Sequence, residues 1–308
     1  MIADGAGRTP HRGRFRRMSP GRFLSWVVLW AFVLVTLFPF YWMLRTSLSN
    51  NRALFSDPAS LLPVDFTWGG YRRVLGLSTA EEALAEGGSG ASIKFWLYLR
   101  NSIIVATTIT AGQVFFSAMA AYAFARLRWR GRDKVFFLFL TALMVPPIFI
   151  FLPNFELIKD LGLLNTFPGL VLPFFLMTPF AVFFLRQFFL NINREVEEAA
   201  MLDGAGHARI FFQLILPTSK APMATLGILT FITAWNEYFW PLLVTDPTTD
   251  DARVLTVALG IFRSQTPQGS PDWAGLMAAS LIAALPVIVL FALVGRRVVN
   301  SIQFTGVK

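Results

Sequence analysis

The sequence predicts an all-α integral membrane protein with six transmembrane helices. The chain of 308 residues is 55% hydrophobic, and its mean hydropathy is +0.57. Its apolar residues are gathered into six blocks that are nearly free of charge, each about as long as a helix that crosses a hydrocarbon core of about 30 Å. One such block also fits a buried helix of a soluble protein, but six argue against that fold. The blocks span residues 23–44, 102–125, 135–153, 168–190, 222–244 and 275–295.

The distribution of charge predicts the orientation of these helices. The formal net charge of +9 could indicate nucleic-acid binding. Most of the 27 Lys and Arg residues, however, fall in the segments that are cytoplasmic if the N-terminus is. Short cytoplasmic loops of membrane proteins carry such an excess. We therefore predict that both termini are cytoplasmic and that nucleic acid is not a partner.

The domain organisation follows from this topology. Residues 1–21 are rich in Gly, Arg and Pro and are predicted to be a disordered basic cytoplasmic tail. Residues 22–308 are predicted to form one transmembrane domain, with an extracytoplasmic loop at about 46–98 and a cytoplasmic loop at about 191–220. No cleavable signal peptide is expected, because the first apolar block is longer than a signal-peptide core.

Within the long outer loop, residues 79–95 are predicted to be a flexible insertion. Glu81, Glu82 and Glu86 can start a short surface helix there, and Gly87-Gly88-Ser89-Gly90 can end it.

Prolines are predicted to interrupt three of the six helices. Each proline removes a backbone donor and clashes with the carbonyl four residues earlier. The adjacent Pro146 and Pro147 are candidates for the translocation path or a subunit interface, since kinks in membrane helices can mark where a path opens. A merely tolerated kink is the alternative. The other interruptions are expected at Pro173, Pro179 and Pro286.

Asn236 and Glu237 are predicted to face protein or the solute path. Glu237 lies inside the fifth apolar block, where a carboxylate facing lipid costs about 2.5–3.5 kcal/mol on insertion scales. Packing between subunits is the alternative to contact with solute.

The loop between the fourth and fifth blocks is acidic. Anionic headgroups repel such a loop, so it is predicted to face a protein. Residues 193–203 can form a short helix that Gly204 ends in the left-handed conformation, and a second helix is expected at about 206–214. A solvated connecting loop is the alternative. The residues singled out are Glu198, Ala199, Ala200, Asp203, Gly204, Leu214 and Pro217.

The spacing of these residues resembles the docking loop of ABC importer permeases. The pattern is Glu-Ala-Ala, three residues, Gly, nine residues, an aliphatic residue, one residue and Leu-Pro. Leu214 stands where the family usually has Ile. Asn193 stands where it usually has Pro, and Asn can serve instead as a helix N-cap.

From about residue 22 to the end, the chain is similar to the six-helix permease subunit of maltose-type sugar importers. This resemblance within the binding-protein-dependent carbohydrate uptake family rests on short motifs in matching order. They include Asn101-Ser102 opening the second helix, Ala121-Tyr122-Ala123-Phe124-Ala125-Arg126 closing it, and Trp235-Asn236.

The resemblance implies a function and a set of partners. The chain would form half of a translocation path for a sugar or polyol in the prokaryotic plasma (inner) membrane. It would pair with a second permease subunit as a heterodimer, sit on two copies of an ABC ATPase, and receive solute from an extracytoplasmic sugar-binding protein. Membrane lipid is the remaining partner. Glu198 would meet a basic residue in a cleft of the ATPase.

The resemblance also implies that this chain is not an enzyme. The sequence has no Gly-x-x-x-x-Gly-Lys-Ser/Thr loop, so no cofactor is expected in this chain and the partner ATPase would bind ATP and Mg.

Three other functions stay open at this point. A secondary transporter needs ionisable residues in the membrane, and Glu237 is the clear candidate. A membrane-embedded enzyme has little support, because the chain has two His and no Cys. A structural membrane subunit differs from a path-forming one only in transport activity.

Overall fold

A computed structural model describes residues 20–88, 93–246, 248–264 and 271–303. The predicted basic tail therefore lies outside the described residues, except that Pro20 and Gly21 already belong to the first helix. The helices are α1 (Pro20–Ser47), α2 (Gly69–Val74), α3 (Ala80–Ala85), α4 (Phe95–Ala125), α5 (Arg132–Thr141), α6 (Ile148–Asp160), α7 (Phe167–Phe175), α8 (Pro179–Leu190), α9 (Arg194–Leu202), α10 (His207–Ile210), α11 (Leu216–Thr218), α12 (Lys220–Trp235), α13 (Phe239–Val244), α14 (Leu255–Ser264) and α15 (Trp273–Gln303).

The described part of the chain is helical and contains no β-sheet, which confirms the predicted fold class. Short 3₁₀ helices occupy Ala53–Phe55 and Ala142–Met144, and a π-helical segment occupies Phe211–Ile215. Three helices, α1, α4 and α15, are long and apolar enough to cross a membrane. Up to three more spans arise if each bent pair of helices counts as one.

Two of the three bent pairs lie close to predicted interruptions. The chain turns by 100° between Met144 and Ile148, so Pro146 and Pro147 break the third span as expected. The fourth span bends by 46° where Pro179 opens α8, with the Thr178 hydroxyl accepting a hydrogen bond from the Ala181 N–H. A third bend, of 77°, separates α11 from α12.

Two of the predicted proline interruptions are wrong. Pro173 lies inside α7 and Pro286 inside α15, and both helices continue past them. Pro173 deprives the Gly169 carbonyl of its helical donor, but the indole N–H of Trp240 donates to that carbonyl at 3.2 Å. Pro286 lies in a 31-residue helix that packs against α1, α2 and α12, which hold it on both sides of the proline.

Helix α4 is the centre of the bundle and packs against α7, α8 and α12. Its small residues Ala118, Ala121 and Ala125 are fully buried, so this face is a packing surface on which helices approach closely. At Gly112 an added Cβ would lie 2.3 Å from the ring of Phe175, so only glycine permits this approach of α4 and α7.

In the predicted flexible insertion 79–95, residues 89–92 lie outside the described residues, and segment 79–88 is ordered by specific contacts. The predicted helix is present as α3, with a capping box between Thr79 and Glu82. Glu86, one residue beyond α3, pairs with Arg73, and Arg73 also forms a bidentate ion pair with Asp272 at 2.8 and 2.9 Å. Arg73 and Asp272 are almost fully buried, so this network fixes the segment to the ends of α2 and α15.

Asn101 and Ser102 do not open the second span, because α4 begins six residues earlier, at Phe95. The Asn101 side-chain amide donates to the carbonyls of Asp251 and Arg253, both at 2.9 Å. The Ser102 hydroxyl accepts from the Leu255 N–H at 2.8 Å. These two buried polar residues therefore position the start of α14.

Candidate functional site: the acidic loop and the broken fifth span

The acidic loop forms the short helix and glycine turn that the sequence predicts. Helix α9 begins after Asn193, whose side-chain oxygen accepts a hydrogen bond from the Glu195 N–H at 3.1 Å. It ends at Gly204, which has φ +80°. The Ala205 N–H then bonds back to the Ala200 carbonyl at 2.9 Å, which is the six-to-one bond of a Schellman motif.

The second helical segment of the loop is longer than predicted. It runs from His207 to Thr218 through α10, the π-helical segment and α11. Pro217 lies near the C-terminal end of this segment, where it lacks the N–H that would continue the helical ladder after the Leu216 N–H bond to the Phe211 carbonyl. The loop thus forms a helix–turn–helix projection, called here the docking projection and defined as residues 193–218.

The outward face of the docking projection combines acidic and apolar side chains. Glu198 is exposed and has no hydrogen bond or ion pair to any other described residue. Leu202, one turn further along α9, is 90% exposed. A leucine this exposed beside an unpaired carboxylate is typical of a surface that a partner protein covers. The exposed members of the predicted set are Glu198, Ala199, Asp203, Gly204 and Pro217.

The inward face places two predicted docking residues elsewhere. Ala200 and Leu214 are half-buried and pack against the hydrophobic cluster that α4, α8 and the π-helical segment share. Both were expected at the partner surface, Ala200 to let the ATPase approach closely. Their positions indicate instead that they seat the projection on the membrane domain.

Sequence analysis missed the residue that anchors α9. Glu197 points inward and is almost fully buried, as is Arg126 at the C-terminal end of α4. Arg126 Nε and Glu197 Oε1 are 2.9 Å apart, an ion-pair distance, although the N–H is not aligned for a hydrogen bond. Arg126 also donates to the carbonyls of Phe189 and Ile192 at the end of α8. One arginine therefore joins α4, α8 and α9.

The electrostatics of Glu197 show what this pair contributes. Burial raises the pKa of Glu197, and the positive charges of Arg126 and Arg194 offset that shift only in part. A pair of this kind adds little net stability, because desolvation of both charges opposes their attraction. Its contribution is geometric: it fixes how α9 sits against α4. The sequence feature that could have identified Glu197 is its place as an acidic residue on the inward face of the amphipathic helix α9.

A groove of about 360 Å³ lies beside the outward face of α9. Glu198, Met201 and His207 line one side of it, and the end of α4 closes the other. Arg126, Arg128, Arg194 and Glu197 also line the groove, so the Glu198 carboxylate borders a concave and largely charged surface.

The fifth span is broken where Asn236 and Glu237 lie, so Glu237 is not at the middle of a continuous helix. α12 ends at Trp235 and α13 begins at Phe239. The Glu237 carboxylate accepts hydrogen bonds from the N–H groups of Phe239 and Trp240, at 3.0 and 3.1 Å. The charge is therefore stabilised by the N-terminus of α13, which satisfies the requirement for a polar partner without solute.

Asn236 and Glu237 face different spaces. Glu237 borders a narrow cavity of about 20 Å³ beneath α13. Asn236 is exposed in a groove of about 400 Å³ between α12, α14 and α15, where Thr256 and Ser280 supply hydroxyl groups. No charged residue of the described chain lines this groove. Asn236 is thus the better candidate for contact with solute or a second subunit.

Pro146 and Pro147 are exposed at the 100° bend and do not line the groove of Asn236. Their neighbours Met144 and Phe149 are also exposed, at 83% and 69%. This apolar corner fits lipid or a second membrane subunit, and the structure does not bring it together with Asn236.

We expect Glu237→Gln to preserve uptake and Glu237→Ala to reduce it. Glutamine keeps a side-chain oxygen that can accept from the first N–H groups of α13, whereas alanine leaves them unpaired at a cost of about 0.5–2 kcal/mol. Uptake and melting temperature of the purified complex measure the effect. Equal loss in both variants would show that the charge itself is required and that capping is not the role of Glu237.

The fold and the site together define a polytopic membrane component of a transport system. Residues 113–303 match the family described as "Binding-protein-dependent transport system inner membrane component". The chain belongs to this family and is a permease subunit of an ABC importer of the inner membrane. Family members are transport subunits and not enzymes.

The relatives similar in sequence include permease proteins of sn-glycerol-3-phosphate transport systems. The sn-glycerol-3-phosphate transport system permease protein UgpE of Pectobacterium atrosepticum is 33% identical over 279 residues, which cover 90% of this chain and 94% of the relative. UgpE of Salmonella typhi is 34% identical over 271 residues, covering 88% and 92%. In a crystal structure of a bacterial ABC transporter that imports the acidic polysaccharide alginate, one chain is 25% identical with a TM-score of 0.75. The match covers 94% of this chain and 99% of that one.

A second alginate transporter structure, in complex with a periplasmic protein that carries an alginate pentasaccharide, matches in fold. The identity is 15% and the TM-score 0.54, over 87% of this chain and 92% of that one.

Proposed function

We propose that this permease forms one half of the translocation path for a sugar or polyol and couples to an ABC ATPase through residues 198–217. The observation that carries the coupling proposal is the outward face of α9, where the unpaired Glu198 and the 90% exposed Leu202 lie side by side. An exposed apolar side chain beside an unsatisfied carboxylate fits a protein cleft with a basic residue.

The groove at Asn236 supports the substrate class. Its polar groups are the amide of Asn236 and the hydroxyls of Thr256 and Ser280, and its other lining residues are apolar. Neutral hydroxylated solutes bind through such groups without a cation. The glycerol phosphate and alginate named for the relatives are anions, which a cation would bind. Because the described residues place no cation in this groove, we propose an uncharged sugar or polyol for this permease.

The proposed assembly contains a second permease subunit, two ATPase copies and an extracytoplasmic sugar-binding protein. ATP and Mg bind to the ATPase copies, so this chain needs no cofactor of its own. The docking projection meets one ATPase copy, and the partner permease meets the other.

Reconstitution tests the function. We expect proteoliposomes that contain the complete complex to take up solute only when ATP is on the same side of the membrane as the ATPase and the binding protein is on the opposite side. The solute is first identified by the melting temperature of the binding protein against a panel of neutral and anionic sugars, since a ligand that binds the folded form raises it. Uptake that follows a proton gradient without ATP would support a secondary transporter. Uptake by a complex that lacks this chain would show that the chain has only a structural role.

Topology is tested with single cysteines, because the chain has none of its own. Glycines of the two loops are poor positions for the cysteine: a Cβ at Gly88 would lie 2.5 Å from Arg73, and Gly131 has φ +85°, which favours glycine. The exposed positions Ala85 and Arg130 replace them. With both termini cytoplasmic, a membrane-impermeant thiol reagent should label Ala85→Cys but not Arg130→Cys in intact spheroplasts. The reverse pattern inverts the topology.

A further inference from the structure

A second groove, of about 570 Å³, lies between the end of α4 and the start of α5. We call it the basic groove. Its lining contains five cationic side chains and one carboxylate, together with the ring of Trp129: Arg126, Arg128, Trp129, Gly131, Arg132, Asp133, Lys134 and Arg194. Arg126, Arg128 and Arg194 also line the groove beside α9, and Arg194 belongs to the docking projection.

Two of these arginines are already neutralised within the chain. Arg126 pairs with Glu197, and Arg132 bonds to Asp133 at 3.0 Å. Arg128, Arg130 and Lys134, by contrast, form no ion pair or hydrogen bond within the part of the chain that the structure describes. Arg128 and Lys134 line the groove, and Arg130 lies in the chain between the lining residues Trp129 and Gly131. This region therefore holds unpaired positive charge that an external anion can neutralise.

The position of the groove favours a lipid as the source of that anion. Lys134 lies in the first turn of α5, and Phe137 and Leu138 follow within one turn with 71% and 69% of their surface exposed. Apolar side chains this exposed on a transmembrane span fit acyl chains or a second membrane subunit, and the unpaired cations beside them favour an anionic lipid. Trp129, 40% exposed, lies at the same end of the helix, as tryptophans at membrane interfaces do.

We propose that the basic groove binds the headgroup of an anionic phospholipid, with Arg128, Arg130 and Lys134 holding the phosphate and the exposed face of α5 contacting the acyl chains. Basic pockets at the cytoplasmic ends of transmembrane helices bind such headgroups. Arg128 also lines the groove beside Glu198, whereas Lys134 lines the basic groove alone, so Lys134 and the neighbouring Arg130 distinguish the lipid site from the docking projection. The proposal relies on the proposed topology only for placing the groove in the cytoplasmic leaflet.

Lipid retention by the purified complex tests the proposal. The complex in detergent is incubated with phosphatidylglycerol or phosphatidylcholine, and native mass spectrometry counts the bound lipid. We expect the unmodified complex to retain phosphatidylglycerol selectively. The double variant Arg130→Gln/Lys134→Gln should retain about 25-fold less, since each of the two interfacial cations strengthens such binding about fivefold. The matched control Arg72→Gln/Lys159→Gln removes two exposed cations at the other end of the bundle and should retain the lipid fully.

Each other outcome overturns the proposal. Equal retention of the two lipids indicates nonselective annular binding. Displacement of phosphatidylglycerol by inorganic phosphate as readily as by unlabelled phosphatidylglycerol indicates a free-anion site. Lost ATPase co-purification with normal lipid retention in the double variant indicates a protein interface. Lys134→Arg keeps the charge and should retain the lipid, which separates loss of the cation from a disturbed fold.

Discussion

Glu198→Arg is expected to abolish solute uptake and ATPase co-purification while membrane insertion and thermal stability stay unchanged. Glu198 is exposed and has no partner among the described residues, so the permease itself loses nothing when the side chain changes. In the complex, the substitution brings an arginine against the proposed basic residue of the ATPase. Loss of one member of a desolvated charge pair costs about 3–5 kcal/mol, which corresponds to more than a hundredfold in affinity. ATPase retained per permease after purification is the direct measurement.

Gly204→Val should reproduce this loss by a different route. Gly204 has φ +80° and open space around its Cα, so valine is disfavoured only by the backbone conformation, at about 1–2 kcal/mol. The turn that carries α9 into α10 then changes. Gly206 is the matched control, because it also has open space but an ordinary φ of −74°.

Gly206→Val should therefore keep docking, and Glu81→Arg on α3 controls for reversal of an exposed charge. Normal uptake and normal ATPase co-purification in both Glu198→Arg and Gly204→Val would falsify the docking assignment.

Glu197→Ala is expected to have the largest effect on the permease itself. It leaves Arg126 buried with its charge unpaired, and breaking a buried pair from one side costs about 3–5 kcal/mol. Because Arg126 also holds the end of α8, the seat of α9 on α4 should loosen. We expect a lower melting temperature of the membrane domain and less solute transported per ATP hydrolysed.

Two comparisons make the Glu197 result specific. Glu198→Ala on the same helix should keep the melting temperature, because that side chain has no partner within the described chain. The double variant Arg126→Met/Glu197→Leu removes both charges and should recover much of the lost stability, since apolar replacement of a buried pair is often neutral. A melting temperature that is unchanged in Glu197→Ala would show that the pair does not fix α9.

Local sequence determined the spans and the form of the docking projection. Apolar blocks of bilayer length locate helices because a backbone in lipid must satisfy its own hydrogen bonds. The N-cap at Asn193 and the left-handed turn at Gly204 depend on residues only a few positions apart. The break at Pro146-Pro147 is local too, because a proline acts on its own helix. The helix after Asn193, the turn at Gly204 and the break at Pro146-Pro147 were predicted correctly, whereas the second helical segment of the docking projection is longer than predicted.

Only the tertiary structure decided which side chain of each motif faces inward and what it meets there. Glu197 and Glu198 are adjacent and chemically identical, yet one pairs with Arg126 and the other is exposed, because helical geometry turns neighbours about 100° apart. The break after Trp235 has no proline within it, and it made Glu237 a helix cap. Arg73 and Asp272 meet across almost 200 residues. Such contacts depend on how the helices pack, and no local pattern encodes that.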